Sequence, residues 1–86
     1  MNTTIFRLPQ VKAFSGLARS TIYARIAEGL FTRPVQIGGR AVGWPANEID
    51  VLNAARISGK TEDEIRALVI RLESERKGVW GRVSHD

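Results

Sequence analysis

Hydrophobic positions recur with two different periods along the chain, and glycines punctuate the change from one to the other. Leu8, Val11 and Phe14 are spaced as one face of a short helix, with Pro9 in its first turn and Gly16 as its stop. Ile22 and Ile26 give the buried stripe of a second helix over 19–28, ended by Gly29. Val35 and Ile37, separated by Gln36, then alternate as a strand with both apolar side chains inward. Val42 and Trp44 share one face of a return strand, with Gly38-Gly39 as the tight turn between the two. Pro45 opens a third helix running to about Ser58, with Ile49, Leu52 and Arg56 on one face and Gly59 as its stop.

Thr61 and Glu64 have the spacing of a capping box, which starts a fourth helix extending to about Lys77. Ile65, Leu68, Val69 and Leu72 form its apolar seam. Glu62–Arg66 and Glu73–Lys77 stand at i,i+4 as ion pairs, and Ile70 lies well off the seam. A short tail containing Trp80 follows, either folded back or loose. Ile5-Phe6-Arg7 reads as a short strand or an extended lead-in after a polar opening.

Two short helices joined through Gly16-Leu17-Ala18 make a helix-turn-helix, and a hairpin follows at once. The expected fold is therefore mainly α with a small β-hairpin: a winged helix-turn-helix followed by a C-terminal helix. The division expected is 1–59 for the winged-helix part and 60–86 for the helix and tail, packed on it or extending from it. With 86 residues, the chain has room for one modest core and none for a deep enclosed active site.

Charge changes the picture more than size does. The formal net charge is +4. Up to Trp44 the chain carries Arg7, Lys12, Arg19, Arg25, Arg33 and Arg40 against Glu28 alone, so the basic excess lies in the first half. That asymmetry points to an anionic partner. The absence of cysteine excludes a disulfide scaffold, a thiol nucleophile and any cysteine-based zinc site. No apolar run is long enough to span a bilayer, and no signal-peptide core is visible, so a cytoplasmic protein without membrane contact is expected. The one histidine, His85, has no plausible catalytic partners, and Glu62, Asp63 and Glu64 are explained by their helix start. Gly38-Gly39 lacks the Lys-Ser/Thr of a phosphate loop. No enzyme activity and no cofactor are expected.

Four segments carry a family resemblance: 16–23 (Gly-Leu-Ala-Arg-Ser-Thr-Ile-Tyr), 28–31 (Glu-Gly-Leu-Phe), 34–40 (Pro-Val-Gln-Ile-Gly-Gly-Arg) and 42–44 (Val-Gly-Trp). At these intervals the chain resembles the AlpA-like phage and prophage regulators, which are similar to MerR-type winged helices and phage excisionases. The resemblance runs from about Leu8 to Leu52. Two positions depart from it: Ala18 stands where a Ser or Thr helix cap is common, and Thr32 replaces a usual Pro. The resemblance implies a small DNA-binding factor of an integrated element, one that activates an integrase gene or directs the integrase toward excision.

On a helical projection of 19–28, Ser20, Ala24 and Ala27 lie opposite the buried Ile22 and Ile26, with Tyr23 at their border. A face stripped to small side chains lets a helix backbone sit deep in a major groove. Arg19 and Ser20, in the first turn, are the candidates for base edges or phosphate. Thr21, Tyr23 and Arg25 are the flanking phosphate candidates. Gly39 and Arg40 are the candidates at the wing tip, where a long cation reaches a minor groove or its phosphates. Arg7, Lys12 and Arg33 add to the general field. Trp44 is expected as a core anchor under the wing rather than a base-stacking residue.

Three functions fit these features. The first is a sequence-specific regulator of a mobile element acting on double-stranded DNA. The second is an architectural excisionase that bends attachment-site DNA with copies side by side. The third is a protein-interaction adaptor that uses the same fold without nucleic acid. An integrase and further copies of the chain on DNA are the other partners these readings imply.

Overall fold

The computed structural model describes residues 4–83. The opening residues before Thr4 and the penultimate His85 lie outside them. The order is β1 (Ile5–Phe6), α1 (Leu8–Ser15), α2 (Arg19–Ala27), β2 (Val35–Gly38), β3 (Ala41–Pro45), α3 (Ala46–Ile57) and α4 (Glu62–Val83). This is a mainly helical, winged-helix-like fold with a small antiparallel sheet and a C-terminal helix.

Glycine ends the helices as the pattern predicts, because only it enters the left-handed region without strain. Gly16 follows α1 at φ 73° and Gly29 follows α2 at φ 77°. The capping box at α4 is complete: Glu64 N–H donates to Thr61 Oγ1 at 3.2 Å, and Thr61 N–H to Glu64 Oε1 at 2.9 Å.

The extended lead-in becomes a third strand. The sheet order is β1-β3-β2, with Phe6 opposite Trp44 and Gln36 opposite Val42. The turn is displaced by one residue from the expected Gly38-Gly39. Gly38 pairs with Ala41, so Gly39 and Arg40 form the tip, and a bulge lies between Gln36 and Gly38. That bulge breaks the simple alternation of β2. Ile37, expected inward, is exposed at 39% and lies over Gly43 instead.

One core joins every helix. Val11, Ile22, Leu30, Phe31, Trp44, Ile49 and Leu52 are buried together with Ile65, Val69 and Leu72 of the α4 seam. Phe14 does not join them: it is 58% exposed at the end of α1 and stacks on Phe6, with ring centroids 4.9 Å apart. The fourth helix also runs past Lys77 to Val83, so Trp80 is helical and 75% exposed rather than part of a loose tail. Once a helix is nucleated, adding a residue costs little, and Gly78 and Gly81 do not stop it. Val79 still lines a hollow beside Pro45, Asn47 and Glu48. The expected Glu73–Lys77 pair does not form. Glu73 reaches across to Arg33 instead, at 3.0 Å.

Candidate nucleic-acid interface

The buried Ile22 fixes the rotation of α2 about its axis. With it inward, Arg19, Ser20, Tyr23, Ala24 and Ala27 are exposed, and Thr21 and Arg25 are half-buried. Ala18 occupies the cap position without a side-chain hydrogen bond, so it closes none of the first-turn amides of α2.

The two edges of α2 differ. On the wing side, the Arg19 guanidinium lies 5.2 Å from the Tyr23 ring centroid, and Tyr23 meets Trp44 edge-on at 6.3 Å. This stack, set up by the i,i+4 spacing of Arg19 and Tyr23, holds a cation toward β3. On the other edge Arg25 faces Arg56. Burial first, and then the charge of Arg25, pull the Arg56 guanidinium below its ordinary value. Ser20, Thr21, Ala24 and Arg25 share a hollow there with Glu28 and Glu62. The acidic start of α4 therefore bounds the exposed face on that side.

The structure sorts the cations of the first half into two groups. Arg33, expected to add to the general field, is neutralised by Glu73. Arg7 donates through Nε to the Val42 carbonyl at 3.0 Å, which ties it to β3 of the wing. Lys12, Arg19, Arg25 and Arg40 have no carboxylate within ion-pair distance among the described residues. Arg40 and Gly39 are exposed at the hairpin tip, where the Gln36 side-chain amide donates to the Gly39 carbonyl at 2.7 Å. Trp44 is fully buried, as a core anchor should be.

Two framework residues carry no signal in the periodicity. Glu48 is only 2% exposed on α3, and Arg76 of α4 grips it through Nε at 2.8 Å and Nη2 at 2.7 Å. A Glu in the first turn of a helix reads from sequence as a dipole-compensating surface residue. Only packing reveals its burial.

The model of the prophage CP4-57 regulatory protein (AlpA) family matches residues 4–56, from β1 to the last turn of α3. The chain belongs to the AlpA family. An uncharacterized protein of Enterobacteria phage P4, ORF88, is 43% identical over 54 residues, covering 63% of this chain and 61% of ORF88. The chain thus spans about three fifths of that relative's length. No solved structure matches it. The AlpA match contains all the candidate contact residues on α2 and the wing, and it ends before α4. The family is described as regulatory. Among the described residues, no helix is long and apolar enough to cross a membrane.

Proposed function

We propose that this AlpA-family protein is a sequence-specific regulator of a phage or integrated element that binds double-stranded DNA and acts on integrase expression or excision. One observation carries the reading: a helix face of small side chains is bordered by Arg19 and Arg25, with Arg40 exposed at the wing tip, and among the described residues none of the three is tied to a carboxylate. Ala24 and Ala27 give the backbone of α2 close access to a major groove, Arg19 and Ser20 enter first, and Thr21, Tyr23 and Arg25 flank them at the phosphates. The uncapped first turn of α2 favours a phosphate on electrostatic grounds. Gly39 leaves room at the wing tip while Arg40 reaches the adjacent minor groove or its phosphates. Residues 1–59 carry these contacts, and 60–86 support them.

Footprinting on the DNA of the element that encodes the protein tests this reading. A discrete protected site at an integrase promoter is the expected result. Phased tandem sites in attachment arms would make it an architectural excisionase, assembling as several copies and directing an integrase. If three to five cations neutralise phosphates, log affinity falls against log salt with a slope of about −3 to −4.5. Arg40→Ala weakens binding without lowering the melting temperature, because the wing tip buries little. No duplex binding at low salt would overturn the reading in favour of a protein-interaction adaptor in the bacterial cytoplasm.

A further inference from the structure

The segment joining α2 to the wing has no regular structure, yet α4 holds both of its ends. At the α2 end, Arg66 donates through Nε to the Glu28 carbonyl at 2.9 Å. At the wing end, Glu73 and Arg76 hold the two sides of one peptide position. The Arg33 N–H donates to Glu73 Oε2 at 2.8 Å, and Arg76 Nη2 donates to the Arg33 carbonyl at 2.6 Å. The same Arg76 is anchored to the buried carboxylate of Glu48 on α3. Arg66 and Arg76 are ten residues apart on one continuous helix, about 15 Å along its axis. A helix is stiff over that length, so α4 holds the two grips at a fixed distance, alongside the buried Leu30, Phe31 and Thr32 that lie between them.

We infer that α4 is a positioning clasp: Arg66, Glu73 and Arg76 fix the wing relative to α2, so that Arg40 and the α2 face meet one duplex together. The inference rests on the DNA-binding reading and adds a role for a helix that lies outside the AlpA match. Its physical basis is preorganisation. β3 is held independently by β1 and by the buried Trp44 with its bond to Thr32, so what the clasp restrains is β2 and the hairpin tip beyond Arg33. A tip free to pivot there must be ordered on binding, and that cost falls on affinity. The apolar contacts of α4 through Ile65, Val69 and Leu72 hold it on the body, whereas the clasp acts on the segment between the two DNA-facing elements. Arg76 is thus a positioning residue, and it does not touch DNA.

The test separates positioning from stability. Arg76→Ala alone leaves the buried Glu48 charge unpaired and is expected to unfold the protein. The informative variant is therefore Glu48→Met with Arg76→Leu and Glu73→Ala, in which the buried ion pair is replaced by apolar groups. Glu73→Ala in the native background is the second variant, and it keeps the Glu48–Arg76 pair. In the free proteins, backbone relaxation of the wing amides of residues 35–42 is measured by NMR. The expected result is a more mobile wing with unchanged α2 amides, in both variants and more strongly in the triple one. On duplex DNA, Arg40→Ala is expected to weaken the native protein about tenfold and the triple variant less than about twofold, because a pivoting wing no longer delivers Arg40. Unchanged wing dynamics in the folded variants would overturn the clasp, and so would an undiminished Arg40 effect in the triple variant. If the native protein binds no duplex, the DNA reading fails, and the wing dynamics alone then decide for or against the clasp.

Discussion

Trp44 donates its indole N–H to the backbone carbonyl of Thr32 at 2.9 Å, while the hydroxyl of the same Thr32 is buried without a partner among the described residues. The bond ties β3 to the segment that follows α2. It also satisfies the one polar atom of a fully buried indole, which is what allows so large a side chain to sit in so small a core. The two halves of this relationship lead to opposite expectations for the two residues.

Truncating Trp44 removes both the core's largest side chain and the Thr32 bond. Trp44→Ala is expected to cost about 3–5 kcal/mol, comparable to the whole stability of many small domains. Urea denaturation followed by circular dichroism measures it. A fully folded Trp44→Ala protein that has lost duplex binding would instead make the indole a DNA contact.

Thr32→Val keeps the shape and removes the unpartnered hydroxyl. Removing a buried, unsatisfied polar group is expected to raise stability by about 1 kcal/mol. The Trp44 bond is unaffected because it uses the backbone carbonyl. A lower denaturation midpoint for Thr32→Val would show that the hydroxyl contributes a bond after all.

At Gly43, β3 has no room for a side chain against β1. A Cβ there would lie 2.5 Å from Ile5 Cγ2 and 2.9 Å from the Phe6 carbonyl oxygen. Backbone cannot yield as a flexible side-chain end can, so Gly43→Ala is expected to displace β1. Amide exchange at Ile5 and Phe6 should accelerate while the α3 and α4 core stays protected. Unchanged exchange at β1 would mean that the sheet absorbs the methyl group.

Glu73 makes stability depend on pH. Burial acts to raise its carboxyl, but the hydrogen bonds from the Arg33 backbone and guanidinium, with the charges of Arg33 and Arg76, outweigh burial and hold it below the usual range. A lowered folded value means that the stabilisation is complete above the ordinary glutamate range and is lost as pH falls through the lowered value. Melting temperatures of the native and Glu73→Gln proteins should therefore differ at neutral pH and converge on acidification. A gap that stays constant down to about pH 3 would rule this out.

The exposed face of α2 is tested by comparing two substitutions of equal charge. Ala24→Glu places bulk and a negative charge where the duplex is expected and should cost at least ~3 kcal/mol of binding. Ala67→Glu is exposed on α4 and changes the net charge equally. Glu is a good helix former, so neither should lose much stability. Equal losses of binding in electrophoretic mobility shifts would show that α2 is not the docking helix.

Much of the fold was determined by short-range features of the sequence. The 3.6-residue spacing of Ile65, Leu68, Val69 and Leu72, the left-handed glycines after the helices and the Thr61–Glu64 box all act within one or two helical turns. They specify elements whatever surrounds them. The stripped face of α2 is local in the same way: once Ile22 turns inward, Ala24 must turn out. What only the tertiary structure decided is which charges are occupied. Arg33 meets Glu73 across 40 residues, and Arg76 meets Glu48 across 28, separations at which no sequence period operates. The same holds for Phe14, which completes an apolar stripe by spacing yet lies exposed on Phe6, because the core closes around Val11 and leaves the last turn of α1 outside. Periodicity gives each residue a direction from its own helix axis. Whether a core, a carboxylate or solvent lies in that direction depends on how the elements pack.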